Sequence, residues 1–273
     1  MPIDDEKLTR AYNRGLKNEK AGKIALAAKA YRECLELDPE DFGGVSVRLA
    51  SIGEGPQPDG APAAYVATLF DQHADVFDDI LVEQLGYAVP LMVPDRLSGL
   101  KHDHFPRMLD LGCGTGLTGE AMRARSDFIV GVDLSEAILG MADERGCYDD
   151  LYLGEAVAFI VGWDEAPFDL ITATDVLPYL GSLEPMFEAV SKGLNSNGVF
   201  LVSTETLSDE AFGTRNWKVG PHQRFHHKLN YVEATLNSVG LTVLHQEVIV
   251  VRTDEGEPQL GHLLIAQKAH SKR

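Results

Sequence analysis

The chain has 273 residues, enough for one large domain and a small appendage. Its 24 Lys and Arg stand against 42 Asp and Glu, a net charge of −18 spread along the whole length. Such a field disfavours nucleic acid and anionic membranes as partners, and no run of about 18 apolar residues suits a membrane span.

The N-terminus, MPIDDEKLTR, is acidic and lacks the apolar stretch of a signal peptide. Cys34, Cys113 and Cys147 are odd in number and far apart, which argues against a disulfide framework or zinc site and for reduced thiols in the cytosol. Residues 4–52 read as helical. Leu8, Ala11, Tyr12 and Gly15 fall at helical spacing, Gly22 breaks the pattern, and Ile24, Ala27, Ala28, Tyr31 and Leu35 resume it until LDPED. Two short amphipathic helices make a hairpin. The pattern Gly15…Gly22…Ala27-x3-Tyr31…Pro39 resembles one tetratricopeptide repeat, departing from it at Asn18, where an aromatic is usual. One repeat cannot bury its own face, so a neighbour is expected: residues 44–52, the main domain, a protein partner or another copy of the chain.

GEGPQPDGAP (53–62) reads as a linker, dividing a hairpin over 1–52 from a domain over 63–273. Residues 63–85 read as one or two helices. RMLDLG is then a buried strand, 116–125 a helix, FIVGVD a strand, and SEAILGMADERG a helix opened by a Ser cap. LYLG, FDLITATD and GVFLVSTE continue the strands, with helices between them. Residues 206–229 read as irregular, and YVEATLNSVG as a helix. LTVLHQEVIVV and GHLLIAQK form a closing hairpin across TDEGEP. This alternation builds a doubly wound α/β sheet. Phe159, Phe187 and Phe200 sit at core spacing.

The stretch LDLGCGTG (109–116) leads from a buried strand into a helix, presenting backbone N–H groups and a positive helix end to a ligand. With Gly119 it also contains GTGLTG, a formal dinucleotide fingerprint. Asp133, at the end of the second strand, stands where a ribose would offer its hydroxyls, and serves NAD and S-adenosylmethionine (SAM) equally. Asp110 separates them. It would oppose a pyrophosphate, whereas SAM carries an ammonium and a sulfonium, so charge favours SAM.

LDLGCGTG, GVDLS, FDLITATDVLPYL and LNSNGVFLVSTE, in this order and spacing, resemble the class I SAM-dependent methyltransferases over about 63–268. With the hairpin, the chain is similar to predicted methyltransferases that carry tetratricopeptide-like N-termini. The resemblance implies a Rossmann-like sheet of seven strands with the last inserted antiparallel. It implies that Asp110, Gly112, Cys113, Gly114 and Gly116 line the methionine half of SAM. Asp133 would bind the ribose, Leu134 would meet the adenine, and Glu155 with Ala156 would lie near the adenine amine, although an Asp is usual there. Thr174 and Asp175 would face the transferring methyl. Phe70, His73 and Phe77 belong to a segment resembling one that closes over the cofactor, and Tyr179 stands where a His is common.

Methyl transfer from a sulfonium is an in-line displacement that needs positioning and, for a weakly acidic acceptor, a base, with no metal. The segment NWKVGPHQRFHHKLNY is dense in aromatic, His and Arg residues and is expected as a lid. Arg224 could pair a substrate carboxylate. Trp217, Phe225, His226 and Tyr231 are candidate acceptor contacts, and Asp175 and His227 are the candidate bases. His222, His226 and His227 lack a Cys or acid at ligand spacing, so no metal is expected. A small-molecule acceptor leads over a protein side chain. A SAM-sensing adaptor without catalysis and an NAD-linked oxidoreductase are the alternatives.

Overall fold

The computed structural model describes residues 4–72, 74, 85–100, 103–254 and 256–270. The chain starts with helix α1 (Asp5–Lys20), whose first turn is capped by the Asp4 carboxylate and holds Asp5 and Glu6, while Lys17 and Lys20 close its last turn. Those charges complement the helix dipole. Helix α2 (Ile24–Leu37) packs back on α1, and Gly15 makes their close crossing possible: a Cβ there would lie 2.2 Å from the Tyr31 ring. The neighbour this pair requires is α3 (Val45–Ser51), which closes a small core of Ala11, Ala27, Ala28, Tyr31, Val45 and Leu49. Asp41 opens α3, its Oδ1 accepting from the Val45 N–H at 2.6 Å and its Oδ2 from the Ser46 N–H at 2.9 Å.

The glycine- and proline-rich segment after α3 forms no helix, as its composition dictates, yet it is tied down. Gly60 bridges Leu180, and the N–H groups of Gly181 and Ser182 donate to the Asp59 carbonyl at 2.8 and 2.9 Å. Helix α4 (Ala63–Asp71) follows. One or two helices are expected from the sequence over 63–85; residues 73 and 75–84 lie outside the described residues. Helix α5 (Val89–Leu97) is not among the elements expected from the sequence. Pro90 sits in its first turn, where a missing N–H costs little.

The remainder is the expected α/β alternation. Strands β1 (Phe105–Leu111), β2 (Ser126–Asp133), β3 (Asp150–Leu153), β4 (Phe168–Ala173) and β5 (Leu194–Glu205) pair in parallel. Between them run α6 (Leu117–Met122), α7 (Glu136–Arg145), α8 (Ala156–Gly162) and α9 (Glu184–Gly193). After β5 come α10 (Asp209–Phe212), β6 (Trp217–Val219), β7 (Phe225–His227) and α11 (Leu229–Ser238), then β8 (Leu241–Asp254) and β9 (Glu257–Lys268). The sheet order is β3-β2-β1-β4-β5-β9-β8, with β9 inserted antiparallel between β5 and β8.

Alternate residues of the central strands face opposite layers. Leu109, Val130, Ile171 and Phe200 pack under α9 and α11, where Phe187 meets Phe200 edge-on at 5.6 Å. Met108, Ile129, Leu170 and Leu201 pack with Val89, Val93 and Leu97 of α5. Residues 206–229 are more ordered than their sequence suggested. They hold α10 and an antiparallel ribbon of β6 and β7, whose three-residue strands are too short to show alternation. Val219 and Phe225 of that ribbon pack against Val47 and Ala50 of α3, joining the N-terminal helices to the sheet domain.

Candidate functional site

The order of strands reverses between β1 and β4, and a crevice opens at their carboxyl ends, as the geometry of doubly wound sheets requires. Gly112, Gly114 and Gly116 take φ of 59°, 55° and 97°, a left-handed run that side chains resist. Val132 ties the loop to β2 by accepting from the Cys113 N–H at 3.1 Å. The Asp133 carboxylate clamps two backbone groups, accepting from Gly114 N–H and Ser135 N–H, each at 3.0 Å. Burial raises its pKa and these N–H groups oppose the rise.

The cavity above this loop holds about 1080 Å³ of empty space including its mouth. Of the expected cofactor residues, Gly112, Cys113, Gly114, Asp133, Leu134, Glu155, Ala156 and Thr174 line it, as do Asp175, Tyr179 and Phe70. Glu155 also caps α8, its oxygens accepting from the Val157 and Ala158 N–H groups at 3.0 and 2.7 Å. The Thr174 hydroxyl lies 2.9 Å from that of Thr118. Lining residues absent from the sequence reading include Ala61, Val66, Tyr87, Pro90 and Ile138. They come from the linker, α4, the approach to α5 and α7, and no local motif marks them.

Two loop-associated residues lie behind this lining. Asp110 is fully buried, held by Thr172 Oγ1 at 2.7 Å and Tyr148 Oη at 2.8 Å, and burial pushes its carboxyl up to about 6. It does not line the cavity. Gly116 opens α6 and faces Tyr148, Arg145 and Cys147 instead of the cavity.

The acceptor-side expectations fare differently. His73 and Phe77 lie outside the described residues. Trp217, Arg224, His226, His227 and Tyr231 are not among the residues lining the cavity. His227 is fully buried, its Nε2 3.2 Å from the Gly181 carbonyl oxygen and its ring stacked on Tyr231; burial lowers its pKa to about 4. His226 sits 3.0 Å from the Arg224 carbonyl oxygen and is lowered to about 4 for the same reason. Tyr231 Oη accepts from the Leu183 N–H at 2.9 Å and donates to Glu184 at 2.7 Å, holding α9 to α11. Trp217 packs against Tyr231 at 5.7 Å. These are packing residues of the ribbon and its neighbours.

Arg224 is committed inside the protein. Its Nε donates to Glu205 at 2.7 Å, Nη1 to Tyr179 Oη at 2.9 Å, and Nη2 to Asp175. Arg252 donates to the same Glu205 oxygen at 2.8 Å, so two guanidinium groups balance two carboxylates. Asp175 and Tyr179 are where this network meets the cavity, and Asp175 has a strained φ of 62° and donates its N–H to Ser203 Oγ at 2.9 Å. Burial raises the pKa of Asp175 while Arg224 opposes the rise. Among the described residues no group of His, Cys, Asp and Glu has the geometry to hold a metal.

The electrostatic character of the cavity separates the two candidate cofactors. Asp133, Glu155 and Asp175 line it, and no Lys, Arg or His does so among the described residues. That is a poor cradle for a pyrophosphate and a fitting one for a ligand bearing ammonium and sulfonium charge. A family profile described as a methyltransferase domain matches residues 109–200, from β1 to β5. Residues 109–200 are thus similar to a methyltransferase domain.

The domain is 30% identical over 120 residues to a ubiquinone biosynthesis O-methyltransferase of Maricaulis maris, covering 42% of this chain and 47% of that protein. To the enzyme of the same name from Idiomarina loihiensis it is 33% identical over 102 residues, covering 36% and 42%. The chain thus spans less than half the length of these curated relatives. Among solved structures, a SAM-dependent methyltransferase from Clostridium acetobutylicum superposes with a TM-score of 0.54 at 18% identity, covering 74% of this chain and 99% of that one. The [4+2]-cyclase SpnF gives 0.61 at 15% identity, covering 79% and 99%. These two likenesses concern the fold.

Proposed function

We propose that the protein transfers the methyl group of SAM to a small-molecule acceptor by in-line displacement without a metal. The cavity lined by three acids and no described cation carries this reading. SAM supplies the activated methyl group. Gly112 and Gly114 admit the ligand close to the backbone, Asp133 accepts from the ribose hydroxyls, and Leu134, Ile138 and Ala156 make an apolar bed for the adenine. Thr174 and Asp175 stand at the end of β4, where the methyl would be presented. Asp175, held against a guanidinium, orients an acceptor hydroxyl by accepting its hydrogen bond. An oxygen acceptor is consistent with the O-methyltransferase names of the relatives. In this reading the chain divides into a helical unit over 1–52, which resembles a tetratricopeptide hairpin, a connector over 53–62 and the catalytic domain over 63–273. Its compartment is the cytosol, where three buried free thiols stay reduced.

Calorimetry with SAM, S-adenosylhomocysteine (SAH) and NAD tests the cofactor. Binding of NAD alone would overturn the reading. Transfer of labelled methyl from SAM into the small-molecule fraction of a lysate, and not into protein, tests the acceptor class. Binding of SAM without turnover would instead favour an adaptor that senses the cofactor and presents the helical unit to a protein.

A further inference from the structure

Strand β8 ends the sheet, paired to β9 on one side and to no described strand on the other. It is long, Leu241–Asp254, and its register with β9 shifts between Val243 and His245 and again between Val250 and Arg252. Between these bulges, His245 to Val250 pair with β9 without interruption. Beyond the second bulge the outer side is closed, because Thr253 donates its N–H to the Leu85 carbonyl at 2.6 Å. From His245 to Val250, no described residue outside the sheet makes a backbone hydrogen bond to the strand. This stretch is an open edge.

Residues directly opposite across an antiparallel pair share a face. Gln246 stands opposite Leu264, which packs in the layer of α9 and α11, so Gln246, Val248 and Val250 project to that side of the sheet. Helix α11 covers only the Leu241 end. There Leu241 and Val243 pack with Val232, Leu236 and Val239, whereas Val248 and Val250 are 64% and 51% exposed. Leu260, opposite Val250 on β9, is 47% exposed and widens the patch. Lysine or proline commonly guards an open edge, and residues 245–250 contain neither. The one acid of this run, Glu247, stands opposite Leu263 on the other face and is bound by Arg96 of α5. In a chain of net charge −18, the patch of Gln246, Val248, Val250 and Leu260 is uncharged.

We infer that this edge binds a second copy of the chain, its β8 antiparallel to this one about a two-fold axis at Val248, so that two sheets become one. That register sets Val248 against its own copy and each Gln246 against a Val250, bringing the apolar rows together. On the other face each Glu247 meets an Ile249. A register centred one residue earlier would instead set Glu247 against itself, which like-charge repulsion disfavours. The bulges end the ladder on either side, and the two-fold contact uses the open edge of both copies, so assembly closes at the dimer. Acidic chains repel one another, and the uncharged patch is where that repulsion is weakest. The inference is independent of the methyltransferase reading, since β5 and β9 separate β8 from the crevice at β1 and β4.

Sedimentation equilibrium of the full chain, with concentration raised through the micromolar range, tests this. A monomer–dimer equilibrium is expected, and added salt should strengthen it by screening the repulsion of two acidic chains. Val248→Lys sets two ammonium groups face to face at the axis and should weaken the dimer by about tenfold or more. Val248 is exposed, so the urea midpoint of the monomer should stay at its wild-type value. Val250→Lys, away from the axis, is a second variant that should weaken the dimer in the same direction. Val161→Lys is the control: that valine is 71% exposed on α8, which follows the opposite edge strand β3, and association should be unchanged. The amides of residues 245–250 should exchange with deuterium more slowly as concentration rises. A chain that stays monomeric at every concentration, a dimer that survives Val248→Lys, an equal loss in Val161→Lys, or assemblies growing beyond two copies would each overturn the proposal.

Discussion

Tyr148 donates a hydrogen bond of 2.8 Å to Asp110 Oδ2, sealing a carboxylate beneath the glycine loop. Thr172 does the same for Oδ1 at 2.7 Å, yet burial outweighs both and lifts the acid to about 6. The folded-state pKa exceeds the ordinary value of 3.8, so the stability linked to this group is present at low pH and is lost as pH rises from about 4 through 6. A cationic ligand acts in the opposite sense and favours ionisation. The affinity of SAM relative to SAH should therefore fall as pH drops through about 6, and Asp110→Asn should flatten the dependence. Calorimetry at several pH values checks this; a constant ratio in the wild-type protein would remove Asp110 from cofactor recognition.

Gly119 makes room for that tyrosine. A Cβ at this position of α6 would lie 2.4 Å from the Tyr148 ring, so Gly119→Ala should cost about 1–3 kcal/mol by overpacking and lower the urea midpoint. GTGLTG therefore owes its third glycine to packing. An unchanged midpoint would contradict the close contact.

Asp133→Ala should weaken SAM and SAH alike by roughly 1.5–3 kcal/mol, the worth of a hydrogen bond to a charged group. Part of that loss comes from freeing the Gly114 and Ser135 N–H groups. Asp133→Asn, which keeps an acceptor, should lose less. Unaltered affinity in Asp133→Ala would show that the ribose lies elsewhere.

Arg224 joins Asp175, Glu205 and Tyr179 in a setting almost closed to water. Arg224→Gln should destabilise the protein by about 3–5 kcal/mol, because two carboxylates lose a shared counter-charge. Arg224→Lys should recover little, since a point ammonium cannot span the planar fork. Urea unfolding measures both, and a lysine variant of native stability would refute the geometric argument.

His226 and His227 are held neutral by burial, each near 4 against an ordinary 6.5. Folded-state pKa values below the unfolded ones mean that stability is complete above about 6.5 and is lost as pH falls toward 4. A variant with both replaced by Gln should show a shallower loss between those limits in urea unfolding. The pH–rate profile of methyl transfer should carry no limb near 6.5 arising from His227. Such a limb, abolished by His227→Gln, would restore it as a base.

The glycine loop, Asp133, Leu134 and Thr174 could be found from contiguous residues because each sits at a strand end, where strand periodicity meets a turn. The tight left-handed backbone after β1 demands glycine, and that demand is visible in the letters. Ala61, Tyr87 and Pro90 could not be found that way. They reach the cavity from segments whose approach is set by packing. His227 and Tyr231 do not line the cavity for a related reason: the dense run of polar aromatics looks like a lid, but register in the β6–β7 ribbon turns His227 inward, and Tyr231 lies in α11 and faces Leu183 and Glu184.

The sequence by itself determined the doubly wound sheet, its closing hairpin, the N-terminal helices and the glycine loop, because hydrophobic period and glycine placement act over a few neighbouring residues. Only the tertiary structure decided that Arg224 is spent on Asp175, 49 residues earlier, and that Tyr12 and Arg48 come to share a cavity with Tyr179. Those pairings depend on how α3 packs on the ribbon and how the connector is pinned to Leu180. Such contacts are long-range consequences of burying surface, and no local spacing encodes them.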